Sequence, residues 1–172
     1  ESQLSPLPPV VIGGAVIVPA RLLQKAPIPA LAETPPPNTH DAEARRRVEI
    51  LAMQAVMTAE RQLGFEPLDV SADNRGYDVE SRIPNTGKLR FLEVKGRAIG
   101  ADFVTITRNE IMTALNKPDD FILAIVTVDL AAGAQAGGDA ASPRYVRQPF
   151  QREPDFAVTS VNYQLAGLLS RA

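Results

Sequence analysis

The chain has 172 residues, with 18 Lys plus Arg against 20 Asp plus Glu, 15 prolines, one His and no cysteine. That length suits one domain with an apolar core, and the missing cysteines exclude a disulfide framework, a thiolate metal site and a thiol nucleophile. A net charge of -2 gives no global sign of a polyanion partner, so any such partner must be met by local charge.

Nine of the 15 prolines precede residue 38 and end in Pro35-Pro36-Pro37. So few backbone donors cannot sustain helix or central strand, so residues 1–38 read as an arm or linker and 39–172 as the domain. The arm's apolar stretch, Val10–Val18, can pair as an edge strand or dock on the parent protein or a second copy, which leaves a homodimer open. Broken by Gly13-Gly14 and closed by Pro19, it falls short of the roughly 20 residues of a membrane span. The expectation is a soluble chain with no membrane partner, and the absence of cysteine fits the cytoplasm. The chain opens on Glu1 with no leader pattern, as a piece cut from a longer protein would.

From Asp41 to Leu63 the pattern is helical: Val48, Leu51, Ala52, Ala55, Val56, Ala59 and Leu63 recur at spacings of three and four, and Gly64 follows as a C-terminal stop. Thr39 or Asp41 can cap its start, His40 reads as a neighbour of that cap, and Arg45, Arg46 and Arg47 spread around a solvated surface. Phe65–Val70 is a short strand candidate and Ser71–Gly76 a polar connection. Tyr77–Ile83 and Lys88–Lys95 are two strands joined by Pro84-Asn85-Thr86-Gly87, a hairpin signal. Asp102–Ile106 reads as a strand, and Thr107-Arg108-Asn109-Glu110 as the capping box of a helix that stops before Pro118. The continuous apolar run Phe121–Val128 marks a strand buried on both faces. Ala131–Ser142 reads as a mobile loop, Tyr145–Phe150 as a further strand and Val161–Arg171 as a final helix, which makes the class α/β.

If Asn85 and Thr86 form a two-residue loop, Pro84 pairs with Gly87 and Asp78 falls directly across from Glu93. Opposed carboxylates, with Cβ atoms about 5 Å apart, repel unless a cation neutralises them. Lys95 projects to the same face as Glu93, while Tyr77, Val79, Leu92 and Val94 project to the other and supply the core. Asp78, Glu93 and the carbonyl of Val94 are a donor set that suits Mg²⁺ or Mn²⁺, with Lys95 beside it to orient water and offset charge on a phosphorane-like transition state. Arg82, Lys88, Arg90, Lys95 and Arg97 surround Glu93 in sequence, so a basic rim around an acidic centre is expected. With one His and no Cys, a zinc site is not expected.

Gly76-Tyr77-Asp78 on one strand, Phe91-Leu92-Glu93-Val94-Lys95-Gly96-Arg97 on the next and a preceding helix carrying Glu60 resemble the PD-(D/E)xK, or restriction-endonuclease-like, superfamily. Together with Thr107-Arg108-Asn109-Glu110 and Pro118-Asp119-Asp120-Phe121-Ile122-Leu123, they resemble more closely the domain related to the C-terminal part of the plant protein NO VEIN, over roughly residues 40–150. That domain is commonly found at the C-terminal end of Swi/Snf-type or DEAD/DEAH-type helicases, including ones tied to phage defence, and Leu7–Leu23 resembles the lead-in from such a helicase. The resemblance implies a mixed sheet flanked by helices with an αβββαβ core, and Asp78 and Glu93 as metal ligands with Lys95 as the catalytic lysine. It further implies Glu60 as a carboxylate that some members add, although the residues alone leave Glu60 equally placed to flank the apolar stripe. Arg97, Thr107, Arg108 and Asn109 are candidates for contact with nucleic acid. The expected function is Mg²⁺- or Mn²⁺-dependent hydrolysis of DNA presented by a helicase motor in the same parent chain. A non-catalytic nucleic-acid-binding module and a dimerisation module are the alternatives.

Overall fold

The computed structural model describes residues 39–131 and 139–172, and the arm at 1–38 with its segment Val10–Val18 lies outside them, as do the side chains of Thr39, His40 and Asp41. The first helix, α1 (Thr39–Gln62), buries Val48, Ala52, Val56 and Glu60, a row repeating every fourth residue. Leu63, expected on that stripe, is exposed. Gly64 takes φ +82°, the Phe65 N–H donates to Glu60 O and the Gly64 N–H to Arg61 O, each at 3.0 Å, so the helix closes as its glycine predicts. Arg45, Arg46 and Arg47 are all exposed.

Three antiparallel strands follow, β1 (Glu66–Asp69), β2 (Val79–Arg82) and β3 (Leu89–Ala98). A short 3₁₀ turn at Ser71–Asp73 lies between the first two. The β2–β3 pairing runs Val79 opposite Leu92 to Arg82 opposite Leu89, the register expected from the sequence. The connection differs. The Ile83 N–H donates to Lys88 O at 2.9 Å and Asn85 takes φ +62°, so Pro84–Gly87 form a four-residue loop. Proline has no N–H with which to close a Pro84–Gly87 pair.

The next strand, β4 (Phe103–Thr107), leaves this sheet and pairs with β8 (Ser160–Gln164) in a two-stranded sheet of its own. Val161–Gln164, expected as helix, is therefore strand, and only α3 (Leu165–Leu169) is helical. Val161 and Tyr163 alternate with exposed neighbours, and the Thr105 hydroxyl donates to Asn162 Oδ1 at 2.7 Å, so cross-strand pairing overrides the helical spacing. The helix α2 (Arg108–Asn116) opens with the expected capping box, with Thr107 as N-cap and Glu110 reaching back to its amide. After it, β5 (Phe121–Asp129) runs parallel to β3 over Phe91–Ala98. Two short strands, β6 (Asp139–Ala140) and β7 (Arg144–Arg147), pair antiparallel with β5 and complete a six-stranded mixed sheet among the described residues. Asp139–Ala140 falls inside the segment expected as a mobile loop, whose residues 132–138 lie outside the described ones.

Both faces of β5 are buried as predicted. Ile122, Ala124, Val126 and Val128 join Leu92 and Val79 against α1, while Phe121, Leu123 and Ile125 join Ile111, Val104 and Ile106 on the α2 side. Gly96 lets α1 approach β3, because a Cβ there would meet Val48 O at 2.8 Å and Ala52 Cβ at 2.9 Å. The chain is thus an α/β fold with helices on both faces of a mixed sheet. No helix among the described residues is long and apolar enough to cross a membrane.

Candidate functional site

The β2–β3 pairing ends at Leu92, whereas β3 continues beside β5 to Ala98, so along the β2 side β3 carries an open edge from Glu93 onward. Asp78 stands just before β2, its N–H donating to Leu92 O at 2.9 Å and its carbonyl accepting from the Val70 N–H at 2.8 Å. Its carboxylate Oδ2 accepts from the Val94 N–H at 2.9 Å and so takes the first unpaired donor of the open edge. N–H and C=O of one strand residue point to the same side, so the Val94 carbonyl faces that edge too.

A cavity of about 670 Å³ lies along this edge, lined by Asp78, Glu93, Val94, Lys95, Gly96 and Arg97, by Glu49, Ile50 and Met53 of α1, by Asp69 and Ser71, and by Thr105 and Glu110. Glu93 and Lys95 extend from the α2 face of β3, with the Lys95 Nζ 2.7 Å from Glu93 Oε1 and 2.9 Å from Glu110 Oε2. Burial is the largest influence on Glu93 and, with the charges of Asp78 and Glu110, pushes its carboxyl up to about 9 against the pull of Lys95. Burial also raises Asp78, opposed by the Val94 N–H and Lys95. For Lys95 burial works against the charge, but Glu93 and Glu110 outweigh it and hold the ammonium above its usual value.

Asp78, Glu93, Val94 and Lys95 thus line one cavity, with Asp78 beside rather than directly across from Glu93, and Glu110, which the sequence assigned to capping alone, joins them. Arg97 also lines the cavity, its Nε donating to Phe103 O at 3.1 Å and a terminal nitrogen to Gly96 O at 2.9 Å. Glu60 is not brought to the site. It is fully buried on the α1 face of the sheet, where its Oε1 lies 3.4 Å from Arg90, whose guanidinium also stacks 4.2 Å from the Phe65 ring centroid. Arg90 and Glu93 lie an odd number of positions apart on one strand, which places their side chains on opposite faces. Thr107 serves the cap, Asn109 is exposed on α2, and Arg108 donates to Pro154 O at 3.0 Å and Asp155 O at 3.2 Å, all outside the cavity lining.

Two further expectations change. Tyr77 packs with Phe91 at 4.8 Å between ring centroids, on the α2 side rather than with Val79 and Leu92, because β2 starts only at Val79 and period-two alternation does not reach back to it. Nor does a basic rim form. Arg82 and Lys88 stand at the hairpin end and Arg90 is drawn to Glu60, which leaves Lys95 and Arg97 in the cavity against Glu49, Asp69, Asp78, Glu93 and Glu110.

A cavity so rich in carboxylates suits a cation better than a bare polyanion. Among the described residues no group of three or more His, Cys, Asp or Glu side chains is arranged to hold a metal. The donors that fit a hard divalent cation are instead the second oxygen of Asp78, Glu93 and the Val94 carbonyl, with the rest of its sphere left to water. One ammonium, that of Lys95, faces the carboxyl groups of Asp78, Glu93 and Glu110 in this cavity, which leaves its charge unbalanced without a further cation.

No curated protein and no solved structure matches the chain. Every residue named in the cavity wall lies in the stretch from the middle of α1 to the segment just before β6, and that stretch, residues 48–138, matches the family described as Protein NO VEIN, C-terminal, to which the chain therefore belongs.

Proposed function

We propose that the domain is a divalent-cation-dependent phosphodiester hydrolase of the PD-(D/E)xK type, acting on DNA that a helicase motor in the same parent chain presents. The observation that carries this reading is the meeting of Asp78, Glu93 and Lys95 at the open edge of β3, with Asp78 bonded to the Val94 N–H. Asp78, Glu93 and the Val94 carbonyl would hold Mg²⁺ or Mn²⁺. When bound, such an ion polarises a phosphoryl oxygen and lowers the pKa of water. Lys95 supplies three donors that can orient an attacking water and hold a non-bridging phosphate oxygen as negative charge grows on it. Arg97, tied back to Phe103 and Gly96, presents a fixed guanidinium to a neighbouring phosphate. The motor is supported by the resemblance of Leu7–Leu23 to a helicase lead-in.

The test is incubation of the chain, and of its Lys95→Ala variant, with single-stranded, duplex and forked DNA and with RNA in Mg²⁺ or Mn²⁺. DNA cleavage by the parent is expected, falling about 10²- to 10³-fold in the variant, the scale of losing one transition-state donor. Equal cleavage by both, or none of any substrate by a folded parent, would overturn the proposal.

A further inference from the structure

Glu110 does two things with one oxygen. Its Oε2 accepts from the Thr107 N–H at 3.0 Å, closing the capping box of α2, and lies 2.9 Å from Lys95 Nζ. The capping bond asks only for an acceptor, which a glutamine would supply equally well. The contact with Lys95 uses the charge, and the pair is well shielded, with side-chain exposures of 13% for Glu110 and 16% for Lys95. Lys95 also holds Glu93, at 2.7 Å, so its ammonium sits on the carboxyl group that the proposed cation would need.

A divalent ion on the other oxygen of Glu93 would stand close to the ammonium that contacts Oε1 and would repel it. That repulsion loosens Lys95 from Glu93 when a divalent ion arrives, and a lysine held by Glu93 alone would then swing out on its flexible stem. Glu110 cannot follow it, because the cap ties its carboxylate to the first turn of α2. Building on the reading above, we infer that Glu110 is a positioning residue for Lys95: it is the second seat of the ammonium, which keeps Lys95 inside the cavity once a divalent cation has displaced it from Glu93.

The test is Mn²⁺ binding to the full chain, followed by calorimetry, for the parent, Glu110→Gln, Lys95→Met and the double variant, with circular dichroism as the check on folding. Glu110→Gln keeps the capping acceptor and should weaken Mn²⁺ by about tenfold, the scale of one hydrogen bond to a charged group. In the Lys95→Met background there is no ammonium to reseat, so the same change should alter the affinity by about twofold or less. Lys95→Met alone should bind Mn²⁺ more tightly than the parent, and this holds as a separate check if Glu110→Gln does not fold. Equal weakening in both backgrounds would mean that Glu110 acts on the cation directly. No weakening in either would leave it a capping residue, and weaker binding by Lys95→Met would remove the displacement, so each of the three overturns the inference. A folded parent that binds no Mn²⁺ would remove the cation-dependent reading itself.

Discussion

Glu93 concentrates the electrostatic tension of the cavity in one side chain. Its carboxyl, held at about 9 by burial and by Asp78 and Glu110, has an ordinary value of 4.5. Between those values the folded chain keeps a proton that the unfolded chain releases, so stability is full below about 4.5 and declines as pH rises toward about 9. Thermal melts of the metal-free chain at pH 5, 7 and 9 should therefore show a falling midpoint, and Glu93→Gln, which cannot ionise, should flatten the trend; an unchanged slope in that variant would contradict the assignment. Gly96 offers a steric test at the same scale. An alanine Cβ would press on Val48 and Ala52 of α1, so Gly96→Ala should cost about 1–3 kcal/mol in urea unfolding, the range for overpacking. The β2–β3 register from Val79 opposite Leu92 to Arg82 opposite Leu89 was legible because it follows from nearby turn residues and alternation, whereas Asp78 lies past the end of that pairing and bonds to Leu92 and Val94 instead of standing across from Glu93. The contact of Lys95 with Glu110 was not, because it joins β3 to α2 across β4 and depends on how those elements pack.

At the level of elements, α1 carries a cost in its buried row. Glu60 and Arg90 form an ion pair across the α1–β3 contact, Tyr145 interacts with the same buried carboxylate, and Arg90 Nε and Ser81 Oγ are buried without hydrogen-bond partners among the described residues. Removing one member leaves the other charge stranded, so Glu60→Ala should lose about 3–5 kcal/mol, whereas Glu60→Leu combined with Arg90→Met should be near neutral or stabilising. Chemical denaturation of both variants decides this, and a mild loss in Glu60→Ala alone would show that Arg90 escapes to solvent. The sequence placed Glu60 near the apolar stripe but could not name its partner, since Arg90 reaches it only when the sheet docks on the helix. The start of α2 was legible to the residue, because a capping box is local chemistry. Val161–Gln164 was not, because a short segment with both periodicities is decided by its neighbour, here β4.

For the whole molecule, the α/β class followed from the order of elements, while the separate β4–β8 sheet did not, since it joins segments more than 50 residues apart. A ligand that binds only the folded chain stabilises all of it, so a divalent cation at 100 times its dissociation constant should add about 2.7 kcal/mol. Melting with and without Mn²⁺ should show a rise that Glu93→Gln abolishes; a rise retained in that variant would place the ion elsewhere. The open edge of β3 has a consequence for solution behaviour as well. A bare strand edge is a template on which another chain can add a strand. Here Asp78 occupies the Val94 N–H and Arg97 the Gly96 carbonyl, so two cavity residues also shield that template from a neighbouring molecule. Asp78→Ala should expose it, and light scattering on concentrated samples should register self-association that the parent does not show.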